Sequence, residues 1–200
     1  MKKIVLAGIV GGIILWVWGF LSWVVLPLHN SAKLSVPNET EVIATLGQSL
    51  TAKGTYVFPM MPGEAGEMPG AEQEAAMAAY MQKYQSGPTG MIFYDPAGKD
   101  PFMLNQMVIG LLIFMLSAGI VAWFLSRSTA TAESYLSRVI YCGMIGTLMA
   151  IGVHLSDWNW MGYSLDWTRA LMVDSIAGWL IAGLGISAIV KQKRPSAAQS

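Results

Sequence analysis

Apolar residues along the chain gather into four long runs, at residues 4–28, 102–125, 136–155 and 171–190, with segments of mixed character between them. Each run is near or above the roughly 20 residues that a helix needs to span about 30 Å of hydrocarbon. The pattern predicts an all-α membrane protein: a four-transmembrane-helix bundle with a small α+β extracytoplasmic segment between helices 1 and 2. The predicted organisation is a first helix at 1–28, the extracytoplasmic segment at 29–100 and a second helix at 101–126. A cytoplasmic loop at 127–135, a third helix at 136–156, an aromatic outer loop at 157–170, a fourth helix at 171–190 and a cytoplasmic tail at 191–200 complete it.

The first run follows Lys2 and Lys3 and continues past Trp16, Trp18 and Trp23 to Pro27. A secretory signal has an apolar stretch of about 7–15 residues, so this one reads as an uncleaved anchor. Asp100 followed by Pro101 reads as an N-cap and first helical residue of the second helix. Lys191, Lys193 and Arg194 close the fourth. Within 29–100, Asn38 and Glu41 have capping-box spacing, which predicts a helix over 39–50. Residues 71–85 form an alanine-rich helical stretch stopped by Gly87 and Pro88. Residues 55–58 and 91–94 are β-prone and suited to pairing. A segment of this size has too little core to be strongly stable alone.

Composition sharpens the reading. Charged residues make up 12% of the chain and hydrophobic ones 54%, against roughly 25% charged in soluble domains. The formal net charge is zero, so there is no basic excess to bind nucleic acid. Lys2, Lys3, Arg127, Arg138, Lys191, Lys193 and Arg194 fall on one side of the predicted membrane, while residues 28–101 carry eight carboxylates against four lysines. By the preference of short cytoplasmic loops for Lys and Arg, both termini are expected inside. Trp158, Trp160, Tyr163 and Trp167 crowd the loop between helices 3 and 4. They read as an interfacial aromatic belt, with a docking surface for another membrane subunit or a quinone-like ligand as the functional alternative.

Helices in lipid associate through small residues that let backbones approach. Gly8 and Gly12 on the first helix, Ala118 and Ala122 on the second, Cys142, Gly146 and Ala150 on the third, and Gly178 with Ala182 and Gly183 with Ser187 on the fourth all have this spacing. Such faces serve either the chain's own packing or a partner. Short connections predict that helix 2 neighbours helix 3 and helix 3 neighbours helix 4, with helix 1 closing the bundle.

Ionisable groups within a membrane are costly and mark functional sites by default. His154 and Asp174 fall at similar predicted depths, about four and five residues inside the outer ends of helices 3 and 4, so they are the expected polar pair. Arg169, Asn105 and Gln106 are its candidate neighbours. The competing reading puts His154 and Asp174 in the wet headgroup zone, serving loop backbone or Arg169. No cofactor is predicted. The alternatives considered are haem held by His29 and His154, and copper held by thioethers such as Met60, Met61 and Met68. His29 stands after Pro27, outside the regular helix, and the methionines lack repeated MxxM or MxM spacing. No GxSxG, HExxH, CxxC or glycine-rich phosphate loop is present.

In layout, four helices with inner termini and a larger first outer loop, the chain resembles the claudin and tetraspan families, although their loop cysteines have no counterpart here. It also resembles small inner-membrane proteins of bacteria, which implies location. The expected function is a non-enzymatic accessory or scaffolding subunit of a bacterial inner-membrane complex, in contact with lipid and with other membrane subunits or itself. The alternative is a small-molecule carrier or membrane redox protein working through His154 and Asp174.

Overall fold

The computed structural model describes residues 1–63, 70–128 and 134–191; Met68, Lys193 and Arg194 lie outside these. The chain is mostly helical and divides into two units, one of them Ser35–Lys99 and the other the sequence on either side of it.

The larger unit holds four helices long and apolar enough to cross a membrane. Helix α1 (Lys2–Phe20) runs on into a π turn, Leu21–Val25, and after a reversal at Leu26 a short 3-10 segment, Pro27–Ala32, folds back as a hook. Later helices are α4 (Leu104–Arg127), α5 (Tyr135–Met149), which continues through a π turn at Ala150–Leu155 into α6 (Ser156–Met161), and α7 (Leu165–Ile189). Large apolar side chains cover their outward faces, Leu116 at 68% and Leu148 at 67% exposed among them. Such faces suit contact with lipid, in keeping with the length and composition of the four helices.

Helices α1 and α7 form the central antiparallel pair, with α4 against α1 and α5 against α7. The expected contact between helices 2 and 3 is therefore corrected: α4 and α5 are neighbours in sequence but not in packing. Side-chain size explains it. A Cβ on Gly12 would stand 2.5 Å from the Met115 backbone, so α1 receives α4 there. On α5, a Cβ on Gly146 would meet the Ser175 carbonyl at 2.6 Å, so that small-residue face is filled by α7. Gly178, Ala182, Gly183 and Ser187 of α7 are all buried, as are Ala118 and Ala122 of α4.

Two predicted boundaries also move. Asp100 caps a turn ahead of the second helix instead of the helix itself: its Oδ1 accepts the Phe102 N–H at 2.9 Å, and α4 starts only after Met103 in a left-handed conformation. The aromatic loop expected at 157–170 shrinks to three residues. Helix α6 extends the third span to Met161, Gly162 ends it with φ 71°, and the Ser164 hydroxyl caps α7 by accepting the Trp167 N–H at 3.2 Å.

The smaller unit contains α2 (Glu39–Ser49), β1 (Gly54–Phe58), α3 (Gly70–Ser86) and β2 (Gly90–Tyr94). The strands pair antiparallel, Gly54 opposite Tyr94 and Phe58 opposite Gly90. Gly90 leaves room there for the Phe58 ring, whose tip a Cβ would meet at 2.7 Å. Helix α2 forms without the expected capping box: Asn38 takes a left-handed conformation and its side chain makes no cap. No described residue of this unit is buried, so its elements have no core of their own to hold them.

Candidate functional site

The central polar cluster forms where the hook of α1 meets α7. Leaving the π turn, the chain reverses at Leu26 (φ −89°, ψ 138°), and the 3-10 segment turns His29 back toward Ser22. His29 is 1% exposed. Its Nδ1 lies 3.3 Å from the Ser22 carbonyl. A carbonyl only accepts, so Nδ1 carries the hydrogen of this contact and Nε2 is left facing outward from the hook.

Nε2 faces Asp174, with 3.9 Å to Oδ2. The Trp23 indole N–H donates to that same oxygen at 3.2 Å, and the Trp18 indole N–H donates to the Asp174 backbone carbonyl at 3.1 Å. Trp23 also stacks flat on the His29 ring, centroids 3.9 Å apart at 13°, and Trp167 stands edge-on to both. The Lys33 ammonium lies 5.2 Å from the Trp23 ring centroid. Two buried polar atoms in this cluster have no hydrogen-bond partner among the described residues, His29 Nε2 and Asp174 Oδ1. Such orphans are uncommon in folded proteins and call for an explanation.

With a neutral imidazole and an ionised carboxylate, the pair presents two acceptors to one another in a place largely closed to water, which is unfavourable. A proton on Nε2 turns the contact into an ion pair, and the indole stacked below offers its π face to the resulting cation. The proton acts on the contact with Oδ2 only; Oδ1 stays without a partner unless a hydrogen-bond donor or small cation reaches it.

The expected pairing of His154 with Asp174 is thus replaced. The His154 Nε2 lies 2.8 Å from the Ser175 hydroxyl, one residue along from Asp174, and His29 takes the place facing the carboxylate. Both expected members stand further from the ends of their helices than the predicted boundaries gave. Asp174 is nine residues into α7 and His154 seven before the end of α6, about 14 Å and 10 Å along the axis at the usual rise. Arg169 pairs with Asp166 at 3.4 Å and is exposed, so it is not the carboxylate's partner. Asn105 and Gln106 are exposed on the first turn of α4 and make no hydrogen bond to His154 or Asp174.

Of the aromatic residues, Trp158 and Trp160 are exposed while Trp167 belongs to the cluster. Gly8 and Gly12 face α4 of the same chain. Met60 and Met61 are exposed in the smaller unit, and among the described residues no group of three or more His, Cys, Asp or Glu is placed to hold a metal.

His29 is legible in the sequence only as a candidate haem ligand; its place opposite Asp174, and the parts played by Trp23 and Ser22, escape sequence reasoning because a proline-broken stretch after a span looks like loop. The available signal is a histidine two residues beyond Pro27, with indoles inside the preceding run. One π turn carries Ser22 and Trp23 of this cluster, and the other carries His154, bonded to Ser175 beside Asp174. Single π turns inside helices are rare and recur at functional sites. No family model, no curated protein and no solved structure matches this chain.

Proposed function

We propose that this chain is a multi-pass protein of a bacterial inner membrane, both termini cytoplasmic, whose working site is the His29–Asp174 pair. Protonation there links the hook of α1 to α7. This puts the protein among proton-linked carriers of small molecules and not among enzymes. One observation carries the reading: a buried imidazole nitrogen and a buried carboxylate oxygen, each without a partner, lie on facing elements. Ionisable pairs buried between membrane helices mark proton or substrate paths. The distribution of Lys and Arg supports the orientation, and the exposed Trp158 and Trp160 suit the outer interface.

In this scheme the protonated pair latches the hook onto α7, and loss of the proton sets two acceptors against each other and loosens it. Tryptophan emission of the purified protein followed across pH tests this, since Trp23 is both hydrogen-bonded to Asp174 and stacked on His29. The wild type is expected to show a transition that Trp23→Phe, His29→Gln and Asp174→Asn each abolish. A flat wild-type profile, or a transition that survives in His29→Gln and Asp174→Asn, rules the scheme out.

A second reading has its own support. The outward faces of α4 and α5, with Leu112 and Leu116 on one and Ile140, Met144 and Leu148 on the other, have no helix neighbour among the described residues. This favours an accessory or scaffolding subunit that lends those faces to other membrane chains or to a second copy. Isolation in mild detergent distinguishes it: a stable larger assembly is expected, and a lone monomer argues against it.

A further inference from the structure

Helices α1 and α4 leave a groove of about 600 Å³ between them, far from His29 and at the end of the bundle where α1 begins and α4 finishes. Its walls are Val5, Ile9, Leu116 and Phe124, and two glycines, Gly8 and Gly119, leave its floor without side chains. A Cβ on Gly119 would meet only the Gly8 Cα, at 3.9 Å, so the space above it is open.

Charge is distributed along this groove in one direction. Lys2 and Lys3 precede the lining residues on α1, and Arg127 follows them on α4, its guanidinium 5.7 Å from the Trp123 ring centroid. All three cations are exposed, and neither helix contains a carboxylate. An apolar trough with exposed cations beyond one end of its lining complements a molecule with a hydrocarbon tail and an anionic head.

We infer that this groove is a binding site for an anionic phospholipid, its acyl chain lying over Gly8 and Gly119 and its phosphate held between Lys2, Lys3 and Arg127. The inference rests on the membrane reading proposed above, but not on the His29–Asp174 pair. The glycines then have a use beyond helix packing: they make the depth that a chain occupies. The cations select the headgroup and the apolar walls do not discriminate between lipids.

Lipid titration of the full chain in nanodiscs tests it, comparing phosphatidylglycerol with phosphatidylcholine carrying the same acyl chains. Phosphatidylglycerol is expected to bind more tightly, and each cation removed in Lys2→Gln, Lys3→Gln and Arg127→Gln is expected to cost about fivefold in affinity. Gly119→Leu fills the groove and is expected to abolish the tight binding while leaving the helical circular dichroism and the cooperative thermal unfolding unchanged, which shows the variant is folded. Equal binding of both lipids, or preference retained in the triple glutamine variant, overturns the lipid site while the membrane reading stands. Failure of the chain to enter the bilayer at all overturns both.

Discussion

Gly12 and Gly110 show how differently two glycines in apolar helices behave. A Cβ at Gly12 would overlap the Met115 backbone at 2.5 Å, and backbone cannot rotate away as a side chain does. Gly12→Ala is therefore expected to separate α1 from α4 and cost about 1–3 kcal/mol, as overpacking does. At Gly110 nothing stands within 4 Å. Gly110→Ala is expected to be neutral or to stabilise by about 0.5–1 kcal/mol through the lower backbone entropy of alanine. Thermal unfolding in detergent measures both, and an equal effect of the two substitutions would contradict the packing described. The same scale decides the polar cluster. Burial of His29 follows from the reversal at Leu26 and the stacking on Trp23, none of which is written in the hydropathy of the run that precedes it.

Elements were more legible than the contacts between them. The lengths of the four runs, the pairing of 55–58 with 91–94 and the alanine-rich helix ahead of Gly87 follow from periodicity, propensity and breakers, which are local. The ends were less so. Asn38 and Asp100 looked like caps from their spacing, yet Asn38 and Met103 adopt left-handed backbone and Asp100 serves its own turn. Ser164 is the cap that matters for the site, because it sets where α7 begins and hence where Asp174 lies. Ser164→Ala is expected to destabilise by about 1 kcal/mol and to fray the first turn through Trp167. Hydrogen exchange at the Trp167 amide reads this directly, and unchanged protection would contradict the cap.

In the smaller unit, Lys53 lies 2.8 Å from Asp95. That hydrogen bond, helped by the Ala97 amide and the nearby Lys99, holds the Asp95 carboxyl below its ordinary value of 3.8. A depressed folded value means that the pair's contribution is present above 3.8 and disappears as the pH falls through the folded value. Protection of the β1–β2 amides is expected to decline in acid, and Asp95→Asn is expected to remove that part of the decline. An identical acid profile in the variant would show that the pair contributes nothing.

At the scale of the whole molecule, helix order was the feature furthest from the sequence. Short connections suggested that neighbours in sequence pack together, but the order is decided by which small residues meet: Gly8 and Gly12 admit α4, while Gly143, Gly146 and Gly183 join α5 to α7. In a Cys142→Ser background, cysteines at Ile9 and Leu116, which both line the groove between α1 and α4, are expected to join through a short bifunctional maleimide. Cysteines placed on the outward faces of α4 and α5, at Leu112 and Leu148, are expected not to. The reverse result would restore the sequence-neighbour arrangement.

The arrangement also brings α1 and α7 together along their length, so that a histidine from one end of the first run meets the carboxylate of the last. Double-mutant cycles on thermal stability test that meeting most directly, comparing His29→Gln with Asp174→Asn against His154→Gln with Asp174→Asn. Residues in direct contact couple by about 0.5–3 kcal/mol. The His29–Asp174 cycle is expected to fall in that range and to exceed the His154–Asp174 cycle. No coupling between His29 and Asp174, with strong coupling between His154 and Asp174, would contradict it.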